Sequence, residues 1–335
     1  MPHLGHALRG ALALLAPLLL LSCRGEATGP SAGSGVPHLV LAFYYPWWGR
    51  ADGPSGKWYH WNPTTARHDV TDTPVLGLYD SNDSAVVRQH IRWAKSAGID
   101  AFVSSWWGPA SFEDHSLQVL LAVAAQEQFR VSIILESPFT ADELRSDIHT
   151  LLATRATSPA WLRVNGRPVL FVYARIMNRF TPDDFRRAFA GTGAFAVADT
   201  QDSVQAAPFD GVFSYGPVQD VDAYLAAEAT QAAAHHAAGR IYVGAAVPGY
   251  DDRVIRQPGR LLPRSNGDVL RRKVAGATAA GADWVSVTSW NEWHEGTEIE
   301  PSLEYGDSYL SLTRSLGDAW RAARMMALAP PRGRD

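Results

Sequence analysis

Eight short apolar runs, alternating with segments of helical period, limit most tightly how this 335-residue chain can fold. The runs are Leu39–Tyr45, Ala101–Trp107, Val131–Glu136, Val169–Tyr173, Ala194–Asp199, Val212–Tyr215, Ile241–Val247 and Trp284–Trp290. Nearly continuous hydrophobicity over so few residues is the pattern of parallel strands buried on both faces. The segments between them carry helix-start signals. Thr140-x-x-Glu143 has capping-box spacing ahead of Leu144, Ile148, Leu151 and Leu152, and Thr181 precedes a proline at the first helical position. Eight such units over residues 38–323 predict a single α/β domain, a (β/α)8 or TIM barrel, a fold that typically takes about 250 residues. An open doubly wound sheet would place a glycine-rich nucleotide loop after the first strand. Here that position holds Tyr44-Tyr45-Pro46-Trp47-Trp48.

Ahead of the barrel the chain reads as an address. Residues 11–21, ALALLAPLLLL, are too few to span a bilayer, which takes about 20, and suit the apolar region of an export signal. The single cysteine, Cys23, follows at once in Leu20-Leu21-Ser22-Cys23, which resembles a bacterial lipobox. The expectation is a signal peptide over 1–22, then a lipidated Cys23 with a flexible Gly/Ser/Ala/Pro linker over 23–37. The barrel follows over 38–323 and a basic tail over 324–335. An ordinary cleaved signal is the alternative. On either reading the protein is exported, as a membrane-anchored lipoprotein (periplasmic or cell-surface) or as a secreted protein, and a monomer is the default. One cysteine excludes an internal disulfide framework and a thiolate zinc site. A net charge of −4 argues against nucleic acid as a partner.

In a TIM barrel the active site lies at the carboxyl ends of the strands. Those ends and the loops after them bring Tyr44, Tyr45, Trp47, Trp48, Trp58, His60, Trp61, Trp106 and Trp107 to one mouth. Glu136, Tyr173, Asp199, Tyr215, Tyr250, Trp290, Asn291 and Trp293 join them. Eight of the 12 tryptophans fall at that mouth. Flat rings with polar edges suit the C–H faces of sugars, so the expected partner is an oligosaccharide or polysaccharide. Cleavage of a sugar bond usually employs two carboxyl groups, and Glu292 and Glu295 stand three residues apart in the last loop. Gly296 gives the chain freedom to leave strand geometry there and turn both toward one cavity. No metal or cofactor is expected. His235-His236 diverge on a helix, His294-Glu295 lacks a second histidine, and Asp251-Asp252 lacks calcium-loop spacing.

The run Ser289-Trp290-Asn291-Glu292-Trp293-His294-Glu295-Gly296-Thr297, with Ile299-Glu300-Pro301, resembles the catalytic signature of glycoside hydrolase family 99, which contains endo-α-1,2-mannosidases. Phe43–Trp47, His60-Trp61-Asn62, Ser105–Gly108 and Pro248-Gly249-Tyr250 resemble further family segments, in the family's order. The resemblance implies a retaining, metal-free endo-hydrolase of α-mannosidic, α-1,2-type linkages in mannan or N-glycan. It further implies that Glu292 is the base on the sugar 2-hydroxyl, giving a 1,2-anhydro sugar, and Glu295 the general acid/base. Tyr44 and Tyr215 would lie near the reacting sugar, with His60 and Trp61 along the cleft. Two positions depart from the pattern: Trp48 stands where tyrosine is commoner, and Glu298 replaces an expected glutamine, adding charge near the pair. Two alternatives stay open. One is double displacement on another glycan with Glu136 or Asp199 as nucleophile; the other is a surface lipoprotein that binds glycan without turnover.

Overall fold

The computed structural model describes residues 35–216 and 220–328. The signal segment, Cys23, the linker as far as residue 34 and residues 329–335 lie outside the described residues.

Each apolar run coincides with or overlaps one strand of a closed parallel barrel, three strands starting one or two residues before the run. These are β1 (Leu39–Tyr44), β2 (Ala101–Trp106), β3 (Arg130–Leu135), β4 (Arg167–Val172), β5 (Phe195–Asp199), β6 (Gly211–Phe213), β7 (Ile241–Ala246) and β8 (Trp284–Val287). Neighbours pair in sequence order, and β8 returns to β1 with Leu39 opposite Trp284, which closes the ring. Around it lie α1 (Ser84–Ser96), α2 (Phe112–Gln126), α3 (Ala141–Thr154), α4 (Pro182–Phe189), α5 (Val221–Ala237), α6 (Asp268–Ala279) and α7 (Ser308–Leu328). The two caps read from sequence are present as full capping boxes, Thr140 with Glu143 and Thr181 with Asp184. The connection from β5 to β6 is a run of turns rather than a helix. The last helix continues through Leu328, five residues into the stretch read as tail.

Alternation along each strand sorts the core into two shells. Leu41, Phe43 and Tyr45 point inward with Val103, Phe171, Val197, Phe213 and Val243; Val40, Ala42 and Tyr44 point outward to the helices with Phe102 and Trp106. Phe43 sits among Phe171, Phe213 and Tyr215 with ring centroids 5.2–6.0 Å apart, which plugs the barrel directly beneath its mouth. Fully burying one such ring contributes roughly 1.5–3 kcal/mol.

Candidate active site

Backbone hydrogen bonds carry the strand parity past the ends of the sheet, and so decide which side chains reach the cavity. The Glu136 amide donates to Trp106 O (3.1 Å) and the Tyr173 amide to Leu135 O (3.2 Å), so both residues keep the inward parity of their strands. Tyr45, Trp107, Glu136, Tyr173 and Tyr215 therefore line a cavity of about 730 Å³ together with Trp47, His60, Glu292 and Glu295.

Six of the residues expected to contact substrate lie elsewhere. Tyr44 and Trp106 have outward parity. The Tyr44 hydroxyl lies 3.2 Å from His90 Nδ1, and Trp106 Nε1 donates to Asp114 at 3.0 Å. Trp61 is buried against Trp48 and Tyr79. Asn291 is fully buried and laces the first loop to the last, accepting from the Tyr45 amide (2.7 Å) and donating to Tyr45 O (3.0 Å) and the Tyr79 hydroxyl (3.0 Å). Trp293 Nε1 donates to the same hydroxyl at 3.0 Å. Tyr250 stands behind the cavity wall, its hydroxyl donating to Asp252 at 2.8 Å. The eight-tryptophan mouth is thus a misreading. Trp48, Trp106, Trp290 and Trp293 are fully buried, Trp58 stands outside the cavity, and only Trp47 and Trp107 line it. Large rings at strand ends were needed on the outward side too, to seal the helices and loops against the barrel.

The two carboxylates come from one loop that closes on itself. The Ser289 amide donates to Thr297 O (2.8 Å), the Ile299 amide to Ser289 O (3.0 Å) and the Glu300 amide to Trp290 O (2.9 Å). Gly296 turns this loop at φ +57°, where a Cβ would also lie 3.0 Å from Thr71 Cγ2. Beneath it Glu300 is buried, accepting from the Tyr79 hydroxyl at 2.9 Å and facing His90 Nε2 at 3.1 Å, which is the loop-ordering part its place before Pro301 suggests.

Each catalytic candidate has a partner that the sequence reading missed. Glu292 accepts from the His294 amide at 3.1 Å and faces His294 Nδ1 at 2.9 Å. Burial disfavours the His294 cation, but the Glu292 carboxylate outweighs it and the imidazole pKa is raised. The ring of His294 stacks on Trp48 at 4.7 Å. Glu295 accepts from Arg256 at 3.0 Å. Arg256 in turn is held by Asp252 (2.6 Å) and the Tyr250 hydroxyl (2.7 Å), so Asp252 anchors the arginine that meets Glu295. Burial and the neighbouring Glu292 charge push the Glu295 carboxyl up to about 7, against the pull of Arg256.

Glu136 is also pushed up to about 7 by burial, while Ser105 donates to its Oε1 (2.6 Å) and Arg175 to its Oε2 (3.3 Å). Trp47 and Trp107 both donate to Ser105 Oγ, at 3.1 and 3.0 Å, which ties the two cavity tryptophans to that carboxylate. Asp199 has both oxygens engaged by backbone amides, Tyr215 at 3.0 Å and Ala174 at 3.2 Å, and pins two strand ends. Glu298 does not add charge beside the pair. It is buried against Arg264, which also bonds the carbonyls of Gly296 (3.2 Å) and Glu298 (2.9 Å).

Two carboxyl groups on one cavity, one held protonated near neutrality and the other bound to an imidazole, can perform acid–base cleavage of a glycosidic bond. Comparison with known proteins agrees. The sequence model described as "Glycosyl hydrolase family 99" matches residues 36–311. "Glycoprotein endo-alpha-1,2-mannosidase" of Rattus norvegicus is 25% identical over 360 residues, spanning 86% of this chain and 76% of that protein. "Glycoprotein endo-alpha-1,2-mannosidase-like protein" of Homo sapiens is 25% identical over 320 residues, with 78% and 68% spanned. Among solved structures, the GH99 endo-alpha-mannosidase from Bacteroides thetaiotaomicron superposes with a TM-score of 0.75 at 25% identity, over 85% of this chain and 98% of that one.

Proposed function

This chain belongs to glycosyl hydrolase family 99 and is a glycoside hydrolase; we propose that it cleaves α-mannosidic, α-1,2-type linkages within a mannan or N-glycan, with retention of configuration. The observation that carries this reading is the placement of Glu292 and Glu295 on a single cavity, with Glu295 pushed up to about 7. A general acid works best with a pKa near the operating pH.

In this mechanism Glu292 takes the proton of the sugar 2-hydroxyl. In an α-mannoside that oxygen is axial and trans to the leaving group, so an internal nucleophile is already in position. O2 forms a bond to C1 as the C1–O bond to the leaving sugar breaks, and Glu295 gives its proton to that oxygen. Glu295, now a carboxylate, takes a proton from water; water attacks C1, the C1–O2 bond opens, and Glu292 returns its proton to O2. Arg256 stabilises the carboxylate form of Glu295 between the two steps. The His294 amide and ring orient Glu292, and Tyr45 and Tyr215, whose hydroxyls are hydrogen-bonded to each other, floor the cavity beneath the reacting ring.

Glu136 is the competing nucleophile, since it lines the same cavity. The test is the protein cut to begin at Gly35 on α-1,2-, α-1,3- and α-1,6-linked manno-oligosaccharides, with products identified by mass. Internal cleavage of the α-1,2 series, lost in Glu295→Gln and Glu292→Gln and retained in Glu136→Gln, supports the reading. A covalent sugar adduct on Glu136 refutes it. Attachment to a membrane through Cys23 belongs to the same proposal, and Cys23→Ser releasing the protein from the membrane fraction is its test.

A further inference from the structure

The cavity wall continues beyond the catalytic pair to a group of residues that the mechanism above does not use. They lie on the loop after β1 and at the start of α2, respectively one and two strands round the barrel from the loop bearing Glu292 and Glu295. Ser111 caps α2 by accepting from the Asp114 amide at 3.0 Å, which places Glu113 in the first helical turn. Glu113 is only 4% exposed, yet it lines the cavity. The Tyr59 hydroxyl approaches its Oε1 at 3.5 Å, longer than the roughly 2.5–3.0 Å of a good O–H···O bond. A carboxylate has about four acceptor positions; its own amide and Ser111 engage this one, which leaves room for a further donor and for one that takes the place of the long Tyr59 contact. Burial pushes its pKa upward against hydrogen bonds from its own amide, Ser111 and Tyr59 and against the Lys57 charge. Beside it the rings of Tyr59 and Phe112 lie 4.3 Å apart, inclined at 35°, and both line the cavity. The Lys57 ammonium hangs over them at 5.0 and 5.6 Å from the ring centres.

We infer that Tyr59, Phe112 and Glu113 form a distal sugar subsite, which takes one hexopyranose ring bearing neighbouring hydroxyls. The apolar face of the sugar packs against the cavity-facing side of this stacked ring pair, and two adjacent hydroxyls donate to the Glu113 carboxylate, one of them in place of the long Tyr59 contact, a charge-assisted pair of hydrogen bonds. Lys57 closes over the outer edge as a donor to a ring or hydroxyl oxygen. This rests on the reading of the chain as a mannan- or N-glycan-cleaving enzyme, and it makes that enzyme selective for glycans long enough to reach from the catalytic pair to α2.

The test is kcat/KM over a series of α-linked manno-oligosaccharides from three to six units, for wild type, Glu113→Ala, Glu113→Gln and Phe112→Ala, each checked for an unchanged melting transition. Wild type is expected to gain a step in kcat/KM at the length that first fills the subsite. Glu113→Ala and Phe112→Ala flatten that step, by about tenfold for the carboxylate, and Glu113→Gln flattens it partially. An equal loss at every length, or a step that survives in Glu113→Ala, overturns the inference while leaving the hydrolase reading intact. Should wild type cleave none of these glycans, the hydrolase reading fails for mannosides. The subsite is then judged by calorimetric titration of mannose and glucose oligomers. A gain in affinity with length that disappears in Glu113→Ala upholds it, and its absence overturns it.

Discussion

Replacing Arg256 with methionine is expected to move the alkaline limb of the pH–activity profile upward. The Arg256 guanidinium touches Glu295 at 3.0 Å, with the charge centres about 4 Å apart. At that distance Coulomb's law gives about 1 kcal/mol in bulk water and about 4 kcal/mol at an effective dielectric of 20. The arginine side chain is 49% exposed and the glutamate 19%, so screening keeps the effect near the lower bound. We take about 1.4 kcal/mol, which is one pKa unit. Removing a cation disfavours the carboxylate, so the pKa of Glu295, already near 7, rises further and carries the alkaline limb up by about one pH unit. The proton needed for departure of the leaving group then persists to higher pH. Glu292 faces the same carboxyl from the shared loop and pushes in the same direction, and Tyr250 and Tyr215 stay neutral across this range because their own pKa values are raised. The assay is kcat/KM from pH 5 to 9.5, whose limbs report the free enzyme. An alkaline limb that stays in place, or moves down, would refute the assignment of Glu295 as the acid and of Arg256 as its counter-charge.

Three further outcomes follow from the same geometry. Tyr44→Phe removes the hydroxyl beside His90 and should cost about 1 kcal/mol in denaturant unfolding with KM unchanged, whereas Tyr45→Phe, whose ring lines the cavity, should alter KM and kcat. Gly296→Ala puts a side chain at positive φ against Thr71 and should cost at least about 1–2 kcal/mol, seen as a lower melting temperature together with lost activity. Glu298→Gln should leave the pH–activity profile in place. Burial raises the Glu298 pKa, so the folded state holds its proton where the unfolded state releases it, and stability falls as pH rises above the ordinary carboxyl range. The glutamine lacks this slope, so its melting temperature relative to wild type should climb between pH 5 and 8.

The barrel was legible because hydrophobic runs of strand length, eight times over, admit few packings, and the capping residues fixed where helices begin. That Glu292 and Glu295 share one cavity was legible because both carboxylates fall within a single short motif. The cavity wall was misread where adjacent aromatics, Tyr44-Tyr45 and Trp106-Trp107, were both assigned to it. Strand alternation sends one of each pair outward, and counting parity from the inward positions Phe43 and Val103 would have chosen Tyr45 and Trp107. Nothing comparable was available for Arg256 or Glu113. Arg256 lies on an irregular loop and Glu113 in a first helical turn, and only the folded chain brings an arginine 39 positions away onto Glu295.

The last loop is closed by its own hydrogen bonds, from Ser289 to Thr297 and from Trp290 to Glu300. The spacing of Glu292 and Glu295 is therefore a local property of about a dozen residues. The neighbouring loops, which supply Trp47, Tyr59, Trp107 and Arg256, come from other strands and are free to change length and composition around it. A chain built this way can exchange one glycan for another by altering its walls while the distance between its two cavity carboxylates stays the same.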